Sequence, residues 1–139
     1  MDKAHQIVKQ QMYENDAFSQ WLGIEVVELE KGRALLKMTV REEMTNGFKI
    51  AHGGITYALA DSALAFACNS HGRKTVSVET SIAHTRPVPV GTVLWAEAKE
   101  EHLGNKIANY SVKIKNQEQE LVALFKGTVY RTSQEWEIQ

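Results

Sequence analysis

The stretch Gly53–Ser70, GGITYALADSALAFACNS, limits the fold of this chain more than any other. Its helix would carry Ile55, Ala58, Leu59, Ala63, Leu64, Phe66, Ala67 and Cys68 on most of its sides, so it has to be enclosed by other structure. Material for the enclosure follows directly. TVSVETSIAHTR, TVLWAEAKEEHL, KIANYSVKIKN and ELVALFKGTVYR have a rough period of two and are separated by PVPVG, GN and NQEQ, which is turn chemistry. Ahead of the helix, Ile24 to Val40 alternates in the same way, and Lys31-Gly32 sits where a hairpin turn is expected. Arg41 to Ala51 reads as a loop, Gly53-Gly54 as the helix start and Gly72 as its stop. Strands joined by short turns imply an antiparallel sheet. The expected fold is therefore α+β, a strongly curved antiparallel sheet wrapped around one long central helix, with a sheet edge or helix flank left for a partner.

A chain of 139 residues, 43% apolar and 24% charged, suits one soluble domain with a sizeable core. Residues 1–20 read as an N-terminal helical segment and 132–139 as a tail within a single domain spanning 1–139. A net charge of −1 supplies no basic field for nucleic acid or an anionic membrane. One cysteine excludes an internal disulfide and fits a reducing compartment. MDKAHQIVKQQMYEND lacks the apolar core of a signal peptide, and no apolar stretch is long enough to span a membrane, so a cytoplasmic protein is expected. The five histidines (His5, His52, His71, His84, His102) are scattered, none at helical ligand spacing, so no metal site is expected. Cys68, on the buried helix, reads as a packing residue, and Trp95 and Phe125 as core. Trp136, in the tail SQEWEIQ, has no role on sequence grounds.

One charge interrupts the apolar helix. An ionised carboxylate at Asp61 has to be solvated, paired or used, and a helix edge facing water is the plainest of these. The glycines add another possibility. A helix N-terminus presents unpaired N–H groups and partial positive charge, and glycine lets a ligand approach them. Gly54 and Asp61 are seven residues apart, nearly on one face but about 10 Å apart along the axis. An oxyanion donor and a base acting on one carbonyl must each come within about 3 Å of it, so one helix cannot supply both. If the pair is catalytic, a second copy running antiparallel brings Gly53 of one subunit opposite Asp61 of the other.

The spacing N-G-x-x-x-x-H-G-G-x-x-x-x-L-A-D, here Asn46, Gly47, His52, Gly53, Gly54, Leu59, Ala60 and Asp61, resembles the hotdog-fold acyl-CoA thioesterases, in particular the phenylacetic-acid-degradation (PaaI-type) subfamily. FACNSHG, TRPVPVG and VALFKGTVYR are similar to that subfamily as well, and the resemblance runs from about residue 20 to 131. It implies hydrolysis of an acyl-CoA to a free acid and CoA, with phenylacetyl-CoA or ring-hydroxylated derivatives as candidate substrates. CoA is then part of substrate and product, and no cofactor is expected. The Gly53 amide would polarise the thioester carbonyl. Asp61 would be nucleophile or general base, and Asn46, His52 and Gly54 would bind or orient the substrate. Ser77 matches a hydroxyl that some relatives carry to hold the water. Arg86 and Lys106, then Arg73 and Lys74, are candidates for the CoA phosphates. The resemblance also implies homodimers with shared sites, usually associated into homotetramers. Two other readings stand beside this one: a non-catalytic acyl-CoA-binding protein, which would not need Asp61, and a hotdog dehydratase or hydratase, which would want a histidine paired with an acid.

Overall fold

The computed structural model describes residues 1–138. The alternating segments form six strands: β1 (Glu25–Glu30), β2 (Arg33–Thr39), β3 (Arg73–His84), β4 (Val93–Leu103), β5 (Ile107–Asn116) and β6 (Leu121–Glu135). Helices α1 (Lys3–His5) and α2 (Ala17–Leu22) precede them, and α3 (Gly53–Asn69) lies between β2 and β3. All pairings are antiparallel, in the order β1-β2-β4-β5-β6-β3.

Alternation decides which face is buried. Ala34, Leu36 and Met38 of β2, Leu94, Ala96 and Ala98 of β4, and Ala108, Tyr110, Val112 and Ile114 of β5 all point at α3. The many alanines let the helix sit close. Leu59, Leu64 and Phe66 of α3 are fully covered, each contributing about 1.5–3 kcal/mol. Gly127 on β6 permits the tightest approach: a methyl there would lie 2.7 Å from Leu64 Cδ2.

Two expectations change. Trp95 alternates with Leu94 and Ala96, so it faces outward and half-buried, with the Lys37 ammonium 5.0 Å from its ring centre. Phe125 is buried, as expected. The segment read as a tail from residue 132 continues as strand to Glu135, opposite Arg73.

The N-terminal segment stays helical beyond α1, with wide turns over Gln6–Met12 and a tight one over Tyr13–Asn15. Asp16 then caps α2, its carboxylate accepting the Ser19 N–H at 3.0 Å. Tyr13 donates to the Ile24 carbonyl at 2.8 Å, which fastens this segment where β1 begins.

The sheet's two edges differ. On β1, Glu25, Glu28 and Glu30 are exposed. On β3, the longer edge, Val76 and Val78 are 56% and 60% exposed. The start of β3 is covered by α3's last residue: the Asn69 carboxamide accepts the Thr75 N–H at 2.9 Å and donates to the Thr75 carbonyl at 3.0 Å. A side-chain amide there stands in for one residue of a neighbouring strand.

Candidate active site

His52 builds the start of α3. Its Nδ1 accepts the Gly54 N–H at 3.0 Å and its carbonyl accepts the Ile55 N–H at 2.8 Å. Nδ1 as acceptor leaves the proton of the neutral ring on Nε2. The amide left over in this first turn is that of Gly53, at the positive end of the helix dipole. His52 is thus a cap that isolates one donor, and Gly54, whose amide is already taken, serves that cap. Asn46 shapes the preceding loop: its carboxamide oxygen accepts the Phe48 N–H at 2.9 Å, leaving its NH2 able to face the cleft.

A cleft of about 370 Å³ opens at this end of the helix, lined by Asn46, Gly53, Thr56, His84 and Arg86 among others. Arg86 also pairs with Glu120 at 3.0 Å. Asp61 lines a different cleft, of about 400 Å³, together with Ser77, Lys74, Leu64, Val76 and Trp136. Gly53 and Asp61, eight residues apart, are separated by about 12 Å along the axis. The structure therefore brings Asn46, Gly53 and Arg86 together, and separately Asp61, Ser77 and Lys74. Arg73 and Lys106 line neither cleft: Arg73 donates to the Asn105 carbonyl, and the Lys106 carbonyl accepts the Arg131 N–H.

Asp61 is exposed in the single chain. Crowding of its carboxyl by protein raises its pKa above the ordinary 3.8, and the like charge of Asp16 adds to the effect. Asp16 is held in place: its Oδ2 accepts from Ser19 Oγ at 2.6 Å, and Ser19 Oγ lies 2.8 Å from Ser62 Oγ, next to Asp61 in sequence. A carboxylate with a raised pKa is the stronger base.

Residues 48–123 match the Thioesterase superfamily model. The acyl-coenzyme A thioesterase PaaI of Escherichia coli is 42% identical over 120 residues, covering 86% of each chain. The chain belongs to the PaaI-type hotdog thioesterases. The solved structure of E. coli PaaI, from the phenylacetic acid degradation operon, superposes with a TM-score of 0.93 at 41% identity over 96% of both chains. A mutant structure of the phenylacetic acid degradation protein PaaI from Thermus thermophilus gives 0.81 at 38% identity, over 84% of this chain and all (100%) of that one.

In this thioesterase the structure adds residues that the motif does not contain. His84, at the end of β3, places Nε2 2.6 Å from Thr56 Oγ1, and Thr56 Oγ1 donates to the Gly53 carbonyl at 3.1 Å. The imidazole Cε1 would lie 3.3 Å from a methyl on Gly53, so the ring flanks the residue with the open amide. Thr56 stands three residues after Gly53, a spacing visible in sequence, but His84 reaches it only through β3. Trp136 and Met12 join the Asp61 cleft from the two ends of the chain. Among the described residues no group of three or more His, Cys, Asp or Glu could hold a metal ion, and no helix is long and apolar enough to cross a membrane.

Proposed function

We propose that this thioesterase hydrolyses an acyl-CoA with an apolar acyl group, phenylacetyl-CoA and its ring-hydroxylated derivatives being the first candidates, at sites shared between two subunits. One observation carries the reading: the unpaired Gly53 amide and the Asp61 carboxylate lie in separate clefts about 12 Å apart along one helix. An antiparallel second copy turns that separation into a meeting. The exposed β3 edge, with neutral Val76, Ser77 and Val78, is the surface that would join the copies. Pairs of dimers would make the tetramer.

The thioester oxygen rests on the Gly53 N–H, where the helix end favours developing negative charge, a donor worth about 3 kcal/mol in comparable sites. The partner's Asp61 either attacks the carbonyl carbon, giving a mixed anhydride that water then opens, or takes a proton from water as water attacks. Either way a C–O bond forms, the C–S bond breaks, and CoA leaves as a thiolate that recovers a proton. A thiol of pKa about 8.5 leaves without a strong general acid. Ser77, in the Asp61 cleft, would hold the water, and Arg86, in the Gly53 cleft, would meet the CoA phosphates; Lys74, packed on Trp136 in the Asp61 cleft, would not. Arg73 and Lys106, outside both clefts, could do so only across a subunit boundary.

A dehydratase would pair a cleft histidine with an acid. Among the described residues, the histidine–carboxylate pairs are His5–Asp2 and His71–Glu100, and none of these four residues lines either cleft. Thiol release from a panel of acyl-CoAs tests the proposal. Asp61→Ala should abolish nearly all turnover in a folded protein, and mixing it with a Gly53→Val variant should restore part of it. A variant keeping more than about a tenth of the wild-type rate, under ~1.4 kcal/mol of barrier, overturns the role of Asp61. Failure of the mixture to recover activity overturns the shared site.

A further inference from the structure

The Asp61 cleft has an apolar floor, Leu64 and Cys68 of α3 with Met12 and Val76 beside them, and at its far end stands an indole from the C-terminal extension of β6. Asp61, Leu64 and Cys68 are spaced by three and four residues, so they follow one another along a helix face for about 10 Å. An acyl group whose carbonyl lies at Asp61 therefore runs down this face toward Trp136.

The indole is fixed rather than trailing. The Trp136 N–H donates to the Gly72 carbonyl at 2.9 Å, and Nε1 donates to Asn69 Oδ1 at 2.9 Å. Asn69, 2% exposed, is pinned by its bonds to Thr75 and to the Ala65 carbonyl at 2.9 Å. The Lys74 ammonium lies 5.0 Å from the ring centre and holds one side of it. A ring tied at both its backbone and its nitrogen is held in one orientation at the end of the cleft, and a longer chain has to break those bonds to pass.

We propose that Trp136 is the end wall of the acyl subsite and a specificity-determining residue, admitting acyl groups that stop short of the indole and excluding longer ones. The inference rests on the thioesterase reading above and adds to it the residue that limits acyl length. The chemistry of the subsite, thioether, aliphatic, thiol and indole, suits a phenyl ring or a medium unbranched chain.

The test compares wild type with Trp136→Ala, Trp136→Leu and Trp136→Phe on acetyl-, phenylacetyl-, octanoyl- and palmitoyl-CoA, with thermal melts to confirm folding. Trp136→Ala should raise the palmitoyl-to-phenylacetyl ratio of kcat/KM by about tenfold or more, mainly through a lower KM for the long chain. Trp136→Leu should move it in the same direction, and Trp136→Phe should keep the wild-type order. Equal changes for every substrate, in Trp136→Ala or in Trp136→Leu where the alanine variant does not fold, overturn the wall. If wild type releases thiol from none of the four, the thioesterase reading fails instead. The wall is then read from the Kd values of octanoyl- and palmitoyl-CoA by titration calorimetry: a preference shifted toward palmitoyl in the smaller variants supports it, and an unchanged order overturns it.

Discussion

Replacing Asn69 with alanine should cost more stability than an ordinary polar truncation. Its carboxamide serves both the N–H and the carbonyl of Thr75, which is 7% exposed and cannot turn to water. Stranding a buried backbone group costs about 1–3 kcal/mol, so the two together cost about 2–6 kcal/mol. The Ala65 carbonyl keeps its place in the helical ladder, and the half-buried Trp136 Nε1 can find water, so neither adds much. Near the middle of that range, about 4 kcal/mol, the expected fall in Tm is about 10–15 °C for a domain of this size. Scanning calorimetry or far-ultraviolet circular dichroism reads it. Asn109→Ala is the control: its side chain makes one half-buried bond, to the side chain of Thr128 (Oγ1, 3.1 Å), serves no backbone group, and should cost about 1 kcal/mol. If Asn69→Ala lowers Tm no more than Asn109→Ala, the carboxamide is not acting as a substitute strand and the reasoning fails.

Gly127→Ala would set a methyl 2.7 Å from Leu64 Cδ2 in a filled core, and urea unfolding should show a loss of about 1–3 kcal/mol. Combining it with Leu64→Ala should cost less than the sum of the two, and simple additivity would argue against the contact. Asp61→Asn should stabilise the fold at pH 7. The folded-state pKa of Asp61 is raised, so the ionised form is penalised above it, and that penalty disappears as pH falls below the unfolded value. Urea titrations should find the asparagine advantage at pH 7 and little of it at pH 3; an equal advantage at both would refute the raised pKa.

Much of this fold could be read from residue patterns because burial is two-sided at α3 and one-sided in the strands. The enclosed helix and its wrapping follow from Ile55 through Cys68 and the alternation after Thr75. Trp95 shows where a strand pattern misleads if its phase is ignored: it read as core, while its position between buried Leu94 and Ala96 put it outside. The placement of β3 beyond β6 was not legible, since no local signal says which strand a crossover will reach. The extension of β6 through Thr132–Glu135 was equally silent. RTSQE has no apolar rhythm, and its pairing with the start of β3 is carried by backbone. At the site, the glycines and Asp61 were visible as a motif. His84 meets Thr56 across 28 residues of sequence, and Trp136 meets Asn69 across 67, contacts that only the folded chain reveals.

The unlike flanks of the sheet carry a consequence for solubility. Backbone groups open on both flanks invite accretion without limit, the route into cross-β fibres. Here one flank offers an uncharged stretch, Val76 to Val78, while the other shows Glu25, Glu28 and Glu30 and a bulge between Val26 and Glu28 that spoils its register. A copy docking on β3 spends the sticky flank of both molecules and leaves carboxylates facing outward at each extremity. Growth by edge addition would then be self-terminating, with the three glutamates guarding a pair of chains against polymerising.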